Sequence, residues 1–160
     1  MCEIVIKPDQ MAVVKGETVL VTMALGSSLA ICMYDEEAGI GGMVHTLLPG
    51  IRRDNAGKNG LRYVDTAALA LYEAMKEAGA APERIRVKLV GGAKIFCFAG
   101  QAGQPDIGRE NVICARKTLQ ELEAVIVSED TGENYGRSVH FLAGSGRLEI
   151  ETVNRSRYWI

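Results

Sequence analysis

The chain has 160 residues, a mass of 17.3 kDa, 48% apolar and 24% charged side chains, which suffices for one domain over residues 1–160 to bury its own core. A net charge of −2 and a pI near 5.7 exclude the basic face of a general nucleic-acid binder. The apolar runs are too short, and too often interrupted by charge, to insert in a membrane.

Glu3–Ile6 and Met11–Val14 read as short strands on either side of a Pro-Asp turn. Thr18–Ala24 is rich in β-branched residues and predicts a third strand. Ser28–Tyr34 and Gly39–Leu48 are two further apolar runs, joined by the acidic connector Asp35–Gly39. They are almost continuously apolar rather than alternating, which is the pattern of strands covered on both faces, although a buried helix has the same signature. Residues 50–60, GIRRDNAGKNG, form a polar loop carrying Arg52, Arg53 and Lys58, with Arg62 just beyond it. Arg62–Ala78 reads as a helix with Ala67, Ala70, Leu71, Ala74 and Ala78 at helical spacing, stopped by Gly79 and Pro82. Ile85–Val90 predicts a strand, and Arg109–Ala124 a second helix with a buried stripe of Val112, Ala115, Leu119 and Leu122. Val125–Ser128 predicts a strand, and Ser138–Leu142 with Arg147–Val153 a hairpin. There is no internal repeat and no linker. The order predicts an α+β domain, two helices packed on a mostly antiparallel or mixed sheet.

The opening MCEIVIKPDQ lacks the basic start and small-residue cleavage site of a signal peptide. The four cysteines, Cys2, Cys32, Cys97 and Cys114, have neither zinc-knuckle nor CxxC spacing. Cys32, Cys97 and Cys114 lie in apolar surroundings and read as small core residues. A reduced, cytoplasmic protein is expected, without disulfide framework, metal or cofactor. Gly91-Gly92-Ala93 lacks the rest of any nucleotide-binding pattern, so no nucleotide site is assigned.

The chemistry concentrates in residues 21–49, VTMALGSSLAICMYDEEAGIGGMVHTLLP. If the connector folds the two apolar strands together, His45 approaches Ser28. A hydroxyl beside an imidazole is the minimum kit for nucleophilic catalysis. Gly26 permits a close backbone approach, and the amides beside it, at Gly26 and Ser27, are suited to binding an oxyanion or substrate. Thr22, on the preceding strand, is placed to hydrogen-bond the imidazole and fix its tautomer, as the third member of a triad does. Each residue also has a plain structural reading: Ser28 as a turn serine, His45 as a hydrogen-bonded core residue, Thr22 as β-branched filler. The basic loop is a solvated segment or a surface that steers acidic partners.

Thr22 with Leu25-Gly26-Ser27, then SLAICMYD, then GGMVHTLLP, closely resembles the signature of the CheD family of chemoreceptor glutamine deamidases. Tyr63–Ala67, Gly91–Phe96 (a GGAxxF motif), Ile107–Val112 (an IGxxNV motif) and the loop from Asp130 to Ser138 resemble further family motifs, in the same order along nearly the whole chain. The resemblance implies a layered α/β/β sandwich, shared distantly with the deamidase domain of cytotoxic necrotizing factor toxins. It implies hydrolysis of glutamine side-chain amides on chemoreceptors to glutamate and ammonia, and as partners the cytoplasmic helices of chemoreceptors and a CheC-type phosphatase. The family's catalytic Cys, His and Thr fall on Ser28, His45 and Thr22, and Cys32 matches a second, non-nucleophilic cysteine. Ser28 therefore stands where the nucleophilic thiol belongs. With the other motifs intact it reads as an introduced replacement; a binding module regulating a CheC-type phosphatase or receptors, or a serine hydrolase, are the other readings.

Overall fold

The computed structural model describes residues 2–50, 60–95, 105–154 and 156–160. Arg52, Arg53 and Lys58 of the basic loop, Phe96 of the GGAxxF motif and Cys97 lie outside the described residues.

The strands are β1 (Glu3–Val5), β2 (Gln10–Lys15), β3 (Val19–Leu25), β4 (Leu29–Asp35), β5 (Ile40–Thr46), β6 (Arg86–Gly91), β7 (Val125–Thr131), β8 (Arg137–Leu142), β9 (Arg147–Thr152) and β10 (Arg157–Trp159). The helices are α1 (Val64–Glu77) and α2 (Ile107–Glu121). The strands form two five-stranded mixed sheets, β1-β3-β8-β9-β10 and β2-β5-β4-β6-β7, where residue patterning had predicted one sheet. Among these strand pairs, β1–β3 and β6–β7 are parallel and the others antiparallel. The divergence begins at Gly26–Ser28. Apolar β3 and β4 look like hairpin partners, but this step carries the chain from the first sheet into the second.

Side-chain alternation along the second sheet then separates two cores. Leu29, Ile31 and Met33 of β4 pack with Val64, Ala67, Leu71 and Met75 of α1 and Val112, Ala115 and Leu119 of α2. Ala30 and Cys32, on the opposite face of β4, pack with Leu20, Val139, Phe141, Leu148 and Ile150 of the first sheet. The helices thus cover one face of the second sheet and the first sheet covers the other. This double covering explains why β4 and β5 read as unbroken apolar runs.

α1 buries Val64, Ala67, Ala68, Leu71 and Met75, so its core face is rotated from the predicted one. Ala70 and Ala74 are half-buried and Ala78 is exposed. Gly79 ends the helix in the left-handed region (φ 112°), letting the Ala80 amide reach back to the Met75 carbonyl at 3.0 Å. α2 starts two residues before the predicted Arg109, because the Asp106 carboxylate caps it by accepting from the Arg109 amide at 3.0 Å. It stops short of Ala124, since Glu123 turns left-handed (φ 58°). β7 runs on through polar Glu129–Thr131, held by parallel pairing with Leu89–Gly91 of β6. β10 was not predicted from sequence and extends the hairpin of β8 and β9. Among the described residues, no helix is long and apolar enough to cross a membrane.

Candidate active site

Period-two geometry brings the three expected side chains to the layer between the sheets. On β5, His45 shares its face with Met43, which packs in the inter-sheet core. On β3, Thr22 shares its face with Leu20 of the same core. Ser28 precedes β4 and has the parity of Ala30, which is the registered partner of His45. The two strands that supply Thr22 and His45 belong to different sheets, and Ser28 sits at the crossing between them.

The His45 Nε2 atom lies 3.0 Å from Ser28 Oγ, and Nδ1 lies 2.8 Å from Thr22 Oγ1. Ser28, His45 and Thr22 are all buried. The Thr22 hydroxyl also donates to the Ile6 carbonyl at 2.7 Å. This last bond fixes the direction of the whole chain. A carbonyl cannot donate, so the single hydroxyl proton of Thr22 is committed to Ile6, and Thr22 Oγ1 accepts from His45 Nδ1–H. In a neutral imidazole Nε2 is then bare and accepts the Ser28 proton. The base-competent tautomer is set by a main-chain carbonyl acting through a neutral hydroxyl, without a carboxylate.

Burial pushes the His45 pKa below its ordinary value, and the Asp9 carboxylate opposes that shift. Asp9 stands in the left-handed region (φ 66°), its amide donating to the His45 carbonyl at 3.0 Å. Its carboxylate pairs at 2.9 Å with Arg62, which sequence had grouped with the basic loop. The charge that biases His45 therefore comes from the turn before β2, far from it in sequence.

The crossing residues are held by their carbonyls. The Gly26 carbonyl accepts from the Ala93 amide at 2.9 Å, that of Ser27 from Asn111 Nδ2 at 2.8 Å, and that of Ser28 from the Gly92 amide at 2.9 Å. Gly91 makes this approach possible: a Cβ there would stand 2.3 Å from the Ser28 oxygen, at a φ of +116° that other residues rarely adopt. The Gly91–Ala93 segment, rejected as a phosphate cradle, thus serves as a brace for the serine loop. Asn111, which the sequence placed in the IGxxNV motif without a role, also reaches the Leu47 carbonyl at 3.1 Å. The signal that could have exposed it is an asparagine inside a helix, on the face otherwise occupied by Val112, Ala115 and Leu119.

The thiols of Cys2, Cys32 and Cys114 take no part in this arrangement. Cys32 is fully buried in the inter-sheet core, where burial pushes its pKa strongly upward despite the nearby Lys88 ammonium. Cys114 is half-buried, its thiol donating to the Pro49 carbonyl at 2.8 Å, and burial raises its pKa as well. Cys2 is exposed. Among the described residues, no group of three or more His, Cys, Asp and Glu side chains is gathered to hold a metal ion.

Comparison with known proteins bears on what such a site does. The family model described as CheD chemotactic sensory transduction matches residues 47–152. The chemoreceptor glutamine deamidase CheD of Thermotoga maritima is 39% identical over 151 residues, covering 93% of this chain and 91% of the relative. The probable chemoreceptor glutamine deamidase CheD of Caldanaerobacter subterraneus is 38% identical over 148 residues, covering 92% and 91%. That of Clostridium tetani is 36% identical over 141 residues, covering 88% and 86%.

Proposed function

The chain belongs to the CheD family, and we propose that Ser28, His45 and Thr22 form the site of a chemoreceptor glutamine deamidase with a serine at the attacking position. The observation that carries this reading is the hydrogen-bonded series Ser28–His45–Thr22–Ile6, in which Nε2 is free to act as a base. The Ser28 Oγ–H bond gives its proton to Nε2 as oxygen attacks the side-chain amide carbon of a glutamine. Amides of the Gly26–Ser28 crossing receive the developing oxyanion. The imidazolium then protonates the nitrogen, which leaves as ammonia. Water, deprotonated by the same imidazole, cleaves the resulting ester to glutamate and restores Ser28.

Each conversion replaces a neutral amide by a carboxylate on a receptor helix. Like charges on neighbouring helical positions repel, so deamidation biases the signalling equilibrium of the bundle. The whole of residues 1–160 acts as one cytoplasmic domain in this reading, with the layered α/β/β sandwich of the toxin deamidases. Its partners are the cytoplasmic helices of chemoreceptors and a CheC-type phosphatase.

A second reading is favoured by two features of the site. Thr22 carries no charge, and burial disfavours the imidazolium. A thiol is readily ionised beside such an imidazole, whereas a serine hydroxyl needs a stronger base. In that reading the chain binds receptors or a CheC-type phosphatase without turning over. Incubating the Ser28→Cys form with a receptor cytoplasmic fragment separates the two proposals from a wrong family role. Mass increases of about 1 Da at individual glutamines, abolished by adding His45→Gln, are the expected result for an amide-to-acid conversion. A folded Ser28→Cys protein that leaves every glutamine intact refutes the deamidase site.

A further inference from the structure

Asn111 is fully buried, and its carboxamide nitrogen uses both protons on main-chain carbonyls, Ser27 at 2.8 Å and Leu47 at 3.1 Å. Its oxygen is buried too and has no hydrogen-bond partner among the described residues. An apolar side chain of the same size would fill this space on α2 without leaving a buried acceptor unpaired. What an apolar residue cannot do is hold two carbonyls at once. Those carbonyls belong to the residue before Ser28 and to the second residue after His45.

We propose that Asn111 is the positioning residue of the oxyanion site: by clamping the Ser27 carbonyl it fixes the orientation of the Ser28 amide N–H. The rigidity of the peptide unit makes this possible. No described peptide bond is cis. In a trans peptide the C=O and N–H point in opposite directions, so holding the Ser27 oxygen toward α2 turns the Ser28 N–H away from α2. No acceptor is paired with that N–H among the described residues. The neighbouring peptide is held the same way, but there the clamp is the Ala93 amide on the Gly26 carbonyl. Asn111 is the side chain, among the described residues, that controls a peptide of this crossing. Its second bond, to Leu47, ties the same peptide to the end of the strand that presents His45. Without the clamp, the Ser27–Ser28 peptide can rotate about its flanking single bonds while the Ser28 Cα and side chain stay near His45. The role is therefore to orient a donor and leaves activation of the nucleophile to His45.

This inference rests on the deamidase reading for its substrate, but its test needs no receptor. In the Ser28→Cys background two probes divide the possibilities. Iodoacetamide is attacked at a saturated carbon: the S–C bond forms as iodide leaves, the thiol proton passes to His45, and no oxyanion arises. p-Nitrophenyl acetate is attacked at its carbonyl carbon through an oxyanion, giving a thioester and p-nitrophenolate. The Ser28→Cys protein is expected to show a higher ester-to-iodoacetamide rate ratio than a free thiol such as glutathione. Adding Asn111→Ala is expected to slow the p-nitrophenolate burst by about tenfold or more, short of the about 10²- to 10³-fold cost of removing an oxyanion donor outright, and to leave iodoacetamide within about twofold. Loss of both rates together, in a variant whose thermal unfolding remains cooperative, would make Asn111 a general structural support and overturn the proposal. Two unchanged rates would overturn it equally, as would a parent ratio no higher than that of glutathione. If Asn111→Ala does not fold, the isosteric Asn111→Asp is read by the same two rates. On a receptor fragment the same substitution is expected to lower kcat and leave KM within about twofold. A Ser28→Cys protein inactive on receptors yet showing this split of probes would refute the receptor reading and keep the role of Asn111.

Discussion

Replacing Thr22 by valine changes one hydroxyl to a methyl and nothing else of the local shape. It removes the acceptor for His45 Nδ1–H at 2.8 Å and the donor to the Ile6 carbonyl at 2.7 Å, both in a buried setting. Each orphaned group costs about 1–3 kcal/mol, and the added methyl returns about 0.8 kcal/mol, so Thr22→Val is expected to destabilise the fold by about 1–5 kcal/mol. The same loss falls on one tautomer only. With Nδ1–H unpaired, the form with its proton on Nε2 gains by about 1–3 kcal/mol, which is a shift of roughly 5- to 150-fold in the tautomer ratio. That form offers Ser28 a proton instead of a lone pair. The measurement is the two-bond ¹H–¹⁵N spectrum of ring-labelled histidine near neutral pH, with His140→Gln to leave a single ring. The expected result is Nδ1–H in the starting chain, a substantial Nε2–H population in Thr22→Val, and restoration in Thr22→Ser, which keeps the hydroxyl. An Nδ1–H tautomer that persists in Thr22→Val would refute the claim that the Ile6–Thr22 relay sets the base.

Asp9→Asn removes the negative charge that opposes burial at His45, so the His45 pKa, already low, is expected to fall further in an NMR titration. Stability should fall with acidity through His45 itself. Its folded pKa lies below its ordinary value of 6.5, so the contribution is fully present above about pH 6.5 and is lost as pH drops toward the lowered value. The slope of unfolding free energy between about pH 7 and 5 should reach at most about 1.4 kcal/mol per pH unit from this group, and His45→Gln should flatten it. Asp35 behaves differently. Burial alone would raise its carboxyl, but hydrogen bonds from Arg84 and from the Ala81 and Ala38 amides outweigh burial and hold it at about 2. Its contribution is present above the ordinary 3.8 and is lost only as pH approaches about 2, so Asp35→Asn should lower the melting temperature at pH 7 and converge with the parent in strong acid.

The site was legible where local pattern determines geometry. The acidic connector between two apolar runs does fold β4 against β5, and the pairing of Ala30 with His45 brings the imidazole beside Ser28. Alternation places Thr22 on the matching face of β3. What was not legible depends on which strands share a sheet. Gly26–Ser28 looks the same in sequence whether it turns a hairpin or crosses between sheets, so residue patterning alone read two sheets as one, whereas the family resemblance implied two β layers. The same crossing explains the missed partners. Ile6 meets Thr22, Asp9 meets His45 and Asn111 meets Ser27 through contacts with sequence separations that no periodicity encodes. β10 was missed because Arg157–Trp159 has only three residues and takes its conformation from β9.

The central claim is that Ser28 occupies the attacking position of a glutamine deamidase site built to work best with sulfur. Its most direct test is the rate at which one receptor cytoplasmic fragment gains about 1 Da per glutamine, followed by intact-mass spectrometry for the chain with Ser28 and for Ser28→Cys. The thiol form is expected to be faster by about 10³-fold or more, the scale for restoring a matched nucleophile, with both forms binding the fragment about equally. Equal deamidation rates for the two forms would contradict the claim.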